Sequence, residues 1–439
     1  MGLRDLSVLV MVYASIPLAL VRPFWGLIVF SWLAYMRPQD IAWAISQQRL
    51  SYLVALALLS GLAIAVARRR ERLLTLRLQT VLLLALGVWF VITAMTAVET
   101  NIGFRWAQLF AKIILISVIT TGLVRTRERF EAIILVIAFS LGLLGVKCGL
   151  FGVLHGGVQL YQGPGGFMAD NNHFALAINM AIPLLVGIAM VQRQKLIRLA
   201  AVAMVPFCIM TIFFTFSRGG LVTFAVVTIL LVLFSRHRLL AVALVGLSIV
   251  SFVVVSSDEI LDTYKARAET IRTYEEDTSA SNRLRAWEIS WWVFNDHPIF
   301  GVGPYNFQAV FEDYGGADEK SRVAHNSFLQ LLAENGLPAF TLFVALIMVT
   351  LWRLERIWLT GEPYWARIYA RMMQFSILAY ITGGMLLNMA YFDLFYHLVA
   401  LSVSLEVAVE TERGPAWAAA RAIHKKDDRW WAQPSTARV

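Results

Sequence analysis

Apolar runs recur thirteen times along this chain of 439 residues, near positions 6–21, 24–36, 52–67, 79–97, 105–124, 130–153, 173–191, 197–215, 219–235, 238–256, 326–352, 367–389 and 392–409. Most approach the roughly 20 residues that a helix needs to cross a bilayer. That pattern leaves one fold class, an all-α polytopic membrane protein. Charged residues make up only 15% of the chain, against about a quarter in soluble domains, and the mean hydropathy is +0.66. Cys148 and Cys208 both sit inside apolar runs. That placement suits small packing residues better than a disulfide or a metal site. The first run has no small-x-small cleavage site before the next, so it reads as a retained segment rather than a signal peptide.

The net charge of +9 is laid out unevenly. The one long polar stretch between runs, 257–324, holds 13 Asp and Glu against 7 Lys and Arg, a charge of −6, while the remainder carries 31 basic and 16 acidic residues, or +15. Short basic connections fall at alternate turns: "RRRERLLTLR" at 68–77, "RTRER" at 125–129, "QRQKLIR" at 192–198 and "SRHR" at 235–238, joined by Arg353, Arg356, Arg367 and Arg371. Such loops stay cytoplasmic in bacterial-type membranes. The surplus therefore sets orientation, puts the acidic stretch outside, and implies no nucleic-acid partner. Arg22-Pro23 separates the first two short runs. If both cross, there are 13 spans and an external N-terminus; if they form a shallow hairpin or one broken span, there are 12 with both termini inside. The expectation is about 12. The chain then divides into a transmembrane bundle (1–256), an external loop domain (257–325), C-terminal transmembrane helices (326–409) and a cytoplasmic tail (410–439).

The unusual polar residues gather at the external ends of the runs. "GFMADNNHFA" (166–175) opens the seventh, bringing Asp170, Asn172 and His173. "TFSRGG" (215–220) is the next external turn, where the glycines are expected to let the chain turn tightly. Arg218 there is an interfacial anchor or a cation aimed at a phosphate, which the guanidinium fork suits. In "SNRLRAWEIS" (281–290), Arg283 and Trp287 are i,i+4 neighbours on a helix, and Arg285 points elsewhere. This predicts an amphipathic helix near the membrane surface, with Trp287, Trp291 and Trp292 at headgroup depth. "RVAHNSFLQ" (322–330) opens the eleventh run. Phe328, Leu329 and Leu332 at +3, +4 and +7 predict that His325 lies on a face packed inward. A lone histidine at a helix end is usually structural. With Asn326 beside it at the face where the arginines collect, it is a candidate proton acceptor. Arg105 starts the fifth run, and Lys147 lies about two turns from the external end of the sixth. Other histidines carry less: His237 is in a basic turn, His297 precedes Pro298, and His397 reads as a satisfied bundle residue. No His, Cys and carboxylate set has metal-ligand spacing, so no metal or other cofactor is expected.

"FSRGG", "SNRLRAW", "DHPIFGVGPYNF" and "AHNSFLQLLAENG", in that order, resemble the O-antigen ligase family of bacterial inner membranes, over residues 165–345. The family also includes O-antigen polymerases and protein O-oligosaccharyltransferases. The resemblance implies a polyprenyl-phosphate glycosyltransferase fold with a large periplasmic loop. It implies metal-independent transfer of a glycan from undecaprenyl diphosphate to a hydroxyl, on a lipid A–core sugar in true ligases. It puts the family's functional arginines on Arg218 and Arg283 and its histidine on His325. Arg105, Lys147 and Arg285 are further candidates for the diphosphate, and Asn326, Asp170, Asn172, His173 and Trp287 for the site lining. The leading segment "ALVRPFWGLIVFSWLAYMRPQDIAWAI" instead looks like ligase-like proteins of exosortase and exopolysaccharide systems, which leaves the acceptor open. Asp170 also leaves open a double displacement. The rival from another class is a transporter of lipid-linked glycans, which inverted repeats and ionisable groups near the midplane would favour. No repeat is visible, and only Lys147 and Gly383-Gly384 lean that way.

Overall fold

A computed structural model describes residues 2–41, 48–234, 238–269, 278–316, 323–360 and 363–427, so His237 and the end of the tail (428–439) lie outside the described residues. Every apolar run is a helix: α1 (Leu3–Val21), α2 (Pro23–Tyr35), then after the short α3 (Pro38–Ile41) α4 (Leu50–Ala67), α5 (Leu78–Met95), α6 (Thr100–Leu123) and α7 (Arg127–Leu154). A hairpin of β1 (Gln162–Gly165) and β2 (Met168–Asp170) leads into α8 (Asn171–Val191), α9 (Lys195–Phe214), α10 (Arg218–Phe234) and α11 (Arg238–Val255). The loop contributes α12 (Asp258–Glu269), α13 (Thr278–Asp296), α14 (Phe307–Val310) and a π turn (Glu312–Gly316), and the chain ends with α15 (Ser327–Leu359), α16 (Tyr364–Gly384) and α17 (Asp393–Asp427). Among the described residues, nine helices are long and apolar enough to cross a membrane.

The first two runs form an antiparallel hairpin. Val8 and Val12 pack with Leu33, and a Cβ on Gly26 would lie 2.9 Å from that of Ala19. Residues that close can only come from chains folding back at Arg22-Pro23, where proline suits the first turn of a new helix. Leu50 and Val54 join the same cluster. α1 therefore begins at the end of the bundle opposite the basic loops. α1 is about 28 Å long and α2 about 20 Å, at 1.5 Å per residue, against a hydrocarbon core of roughly 30 Å. Besides the nine, α2, α10 and part of α11 (Val245–Val255) are shorter apolar helices. With α1 beginning opposite the basic loops, the two termini are not at one end, as the 12-span arrangement expected.

Two ends result. The basic end carries the 68–77, 125–129 and 192–198 connections. The loop end carries the hairpin, the α9–α10 turn, α12 to α14 and the start of α15. α8, α16 and α17 run through the middle, around the buried rings of Tyr369, Tyr380 and Tyr396.

The eleventh run is not one continuous helix. α15 breaks at Gly336, whose φ of 72° and ψ of −177° are not helical. The "DHPIFGVGPYNF" turn is bolted onto the break: Val302 N–H donates to Ala333 O at 3.0 Å, Gly303 N–H to Glu334 O at 2.8 Å, and Leu337 N–H to Pro298 O at 2.8 Å. A Cβ on Gly336 would meet Ile299 O at 2.0 Å, and one on Gly303 would meet Ala97 Cβ at 2.2 Å. Both glycines also have positive φ, so no other residue fits either place. The half-helix 327–335 is thereby a separate plate at the loop end. Over it lies a small second core of Ala286, Ile289 and Val293 against Val302, Phe307, Phe311, Ala324 and Ala333.

Candidate functional site

Three elements bring polar groups to one corner of the loop end. The first is the start of α8. Asp170 caps it, its carboxylate accepting from Asn172 N–H at 2.8 Å and His173 N–H at 3.3 Å, and from Asn172 Nδ2 at 3.0 Å. The hairpin that delivers Asp170 rests on the Arg37–Asp40 ion pair at 2.5 Å, whose guanidinium fills the space beside Gly166.

The second is the start of α10. Asn171 Nδ2 donates to Thr215 O at 2.8 Å, and Asn179 Nδ2 to Gly220 O at 3.0 Å. These bonds fix the α9–α10 turn against α8 and place Arg218, half-buried, as the first residue of α10. The glycines do not make the turn as expected. Phe216 takes the left-handed conformation instead, with φ of 55°, and Ser217 Oγ caps Gly220 N–H at 2.9 Å. Gly220 serves close packing, because a Cβ there would come within 2.7 Å of Ala175 Cβ.

The third is the segment before α15. Asn326 is its N-cap, the side-chain oxygen accepting from Phe328 N–H at 2.9 Å and Leu329 N–H at 3.2 Å. Ser327 Oγ donates to Leu387 O at 2.8 Å and accepts from Met389 N–H at 2.9 Å, which ties the half-helix to the end of α16. His325 is half-buried with φ of 47°. A non-glycine residue there is uncommon, histidine less so than most, and strained backbone concentrates at functional sites. Burial first, then the positive charge of Arg283 and the neighbouring His173, push the His325 imidazole down to about 4, while Asp170 pulls the other way. Arg283, His173 and Asp170 thus all act electrostatically on this one imidazole.

α13 separates its two arginines. Arg283 acts on His325, whereas Arg285 donates to Glu288 at 2.6 Å and lies over the Trp292 ring at 4.7 Å. Of the three tryptophans expected at headgroup depth, only Trp291 is exposed, at 50%. Trp292 packs on the loop core, and Trp287 is half-buried with its indole N–H unpaired. Arg105 and Lys147 are not brought to His325. Arg105 is exposed on α6, whose end meets the 302–306 turn through Val98 N–H to Val302 O at 3.0 Å. Lys147 is exposed among Leu143, Leu150, Phe151 and Leu154 on the outer face of α7.

An open groove of about 560 Å³ begins at Asn326 and is lined by Trp291, Phe294, Phe328, Leu329, Leu332, Leu337, Phe340 and Met385. The +3, +4 and +7 neighbours of His325 pack inward in part, with Leu332 buried and Phe328 against the Phe343 ring, and they also line this groove together with Leu337 and Phe340 from beyond the break. Beneath the plate is a buried polar network that the sequence reading passed over. Glu334 accepts from Tyr391 Oη and from Gln330 Nε2 at 3.3 Å; Asn335 Nδ2 donates to Tyr391 Oη at 3.1 Å and its Oδ1 accepts from Thr93 at 2.9 Å. The available signal was a carboxylate inside an apolar run, followed by Gly336 and Pro338. His397 is a satisfied bundle residue, held by Tyr35 at 2.9 Å and Thr120 at 3.2 Å. Cys148 and Cys208 are free thiols. Among the described residues no three His, Cys, Asp or Glu side chains could hold a metal ion together.

Residues 199–344 match a family model described as O-antigen ligase. Residues 3–190 match a family of unknown function. No curated protein matches the chain.

Proposed function

We propose, from the O-antigen ligase match over residues 199–344, that the protein acts as a member of that family and transfers a glycan from undecaprenyl diphosphate to an acceptor hydroxyl. The preferred acceptor is a lipid A–core sugar, and the loop end faces the periplasm of the bacterial inner membrane. The observation that carries this reading is the half-buried His325, held in a left-handed backbone conformation next to Asn326 of an apolar groove, with the Arg283 charge acting on its imidazole. A polyprenyl chain lies in the groove and its diphosphate reaches the polar corner.

Transfer forms a bond from the acceptor oxygen to the anomeric carbon and breaks the bond from that carbon to the diphosphate. Negative charge grows on the leaving group. Arg218 and Arg283 stabilise it there, as preorganised cations do most effectively in a water-poor site. His325 takes the proton of the attacking hydroxyl. A histidine near 4 in the free protein holds an open lone pair at neutral pH. The bound diphosphate offsets Arg283 and restores basicity, towards the pKa near the working pH that suits a general base. Asp170 is occupied as the cap of α8, which favours single displacement with inversion over a carboxylate-linked intermediate. Retention of configuration in the product would contradict that step.

The test is transfer in proteoliposomes with EDTA present, using undecaprenyl-diphosphate glycan and, separately, lipid A–core, no added acceptor, or an acceptor protein. Product on lipid A–core from wild type and none from folded His325→Ala is the expected result. Glycan ladders without acceptor would make the protein a polymerase, and glycosylated protein an oligosaccharyltransferase. No product with any acceptor, together with donor movement across the bilayer, would overturn the proposal in favour of transport.

A further inference from the structure

α6 carries two opposite seams. Gly103, Ala107, Phe110 and Ile114 are buried against the bundle. Asn101, Arg105, Gln108 and Lys112 recur at +4, +7 and +11 on the other side, and all four are exposed. That spacing keeps them on one helix face. Among the described residues none of the four side chains has a hydrogen bond or ion pair. The flanking Phe104 and Leu115 are exposed apolar groups, at 41% and 42%, as on a surface that meets lipid.

Depth makes the seam unusual. Arg105 lies about 8 Å along the helix from its loop-end residue, close enough to reach the interface. Lys112 lies about 18 Å along, near the middle of the bilayer, by the same rise per residue. Gln108 lies between and has too short a side chain to reach water. Ionisable groups at that depth normally face protein or water rather than lipid. The seam also belongs to the 3–190 region, outside the O-antigen ligase match.

We propose that this α6 face binds a transmembrane helix of another protein, one carrying a carboxylate at mid-membrane depth opposite Lys112 and a polar residue opposite Gln108. Charge selects the occupant. A second copy of the chain would set Lys112 against Lys112, and a phospholipid phosphate stays at headgroup depth, far from it. A carboxylate on a helix satisfies both the charge and the depth, and Gln108 gives the partner a hydrogen bond that fixes register. The inference does not rest on the catalytic reading.

The probe is a set of labelled 22-residue Leu/Ala transmembrane peptides with Glu, Leu or Lys at the centre. Energy transfer to the labelled full-length protein is read in vesicles of zwitterionic lipid. The Glu peptide should associate several-fold more than the Leu peptide. Lys112→Gln and Gln108→Leu should each weaken that preference, and Lys112→Glu should transfer it to the Lys peptide, with each variant confirmed monodisperse. Equal association of the Glu and Leu peptides, or a Glu preference that survives Lys112→Gln, would overturn the proposal. So would enrichment of spin-labelled phosphatidylglycerol at α6 that is lost in Lys112→Gln without any peptide preference, which would give the face to anionic lipid.

Discussion

At the basic end of the bundle Arg129 is held by Glu71 at 2.7 Å, Arg127 by Glu131 at 2.8 Å, Arg77 by Glu410 at 2.5 Å and Arg371 by Glu355 at 2.9 Å. At the loop end Arg37 pairs with Asp40 and Arg285 with Glu288, so ion pairs hold both ends. What sets the loop end apart is a half-buried imidazole, that of His325, whose pKa is lowered by burial first and then by the charge of Arg283.

The comparison breaks most sharply at His325. His325→Ala should lower transfer by about 10²–10⁴-fold, the usual worth of a general base. His325→Asn should be as inactive yet fold normally, since asparagine also tolerates the left-handed conformation; transfer rates and thermal melts check both. Next, Arg283→Met or Arg218→Met should each cost on the order of 10²-fold in kcat, as loss of one preorganised charge-stabilising group does. Steady-state kinetics would reveal a change in KM alone, which would make the arginine a binding anchor only. Gly336→Ala sets a Cβ against the Ile299 carbonyl on top of the backbone strain, so it should destabilise by more than about 3 kcal/mol, visible as a sharply lowered melting temperature or loss of folded protein. The smallest effect belongs to the basic end: Arg77→Gln removes a half-exposed pair and should cost no more than about 1 kcal/mol, leaving transfer unchanged.

Much of this was legible in the residues. Hydropathy gives all thirteen helices, and motif order collects Asp170, Arg218, Arg283 and His325 at one end. The break in α15 was hidden because an apolar run reads the same whether the helix bends or not; only Gly336-Leu337-Pro338 marks it. Residue type also cannot separate a cap from a ligand. Asn326 reads from its type only as a site group, whereas its side chain also holds the first turn of α15 while the residue lines the groove. Arg285 looks like a third phosphate contact until it is found with Glu288 and Trp292. Glu334 was missed for the converse reason. A carboxylate in an apolar run stands out, but its partner Tyr391 is 57 residues away in sequence.

The most direct test of the contrast between the two ends is the pH dependence of kcat/KM for transfer, which reports groups in the free enzyme. A base must be neutral to act, and the folded-state value for His325 lies near 4. Wild type should therefore stay flat as pH falls through 6.5 and lose activity only near 4. Arg283→Gln removes one of the causes of that depression, so its acid limb should move upward. A wild-type acid limb at the ordinary histidine value near 6.5, unmoved by Arg283→Gln, would contradict the account, because Arg283 would then not be acting on the base.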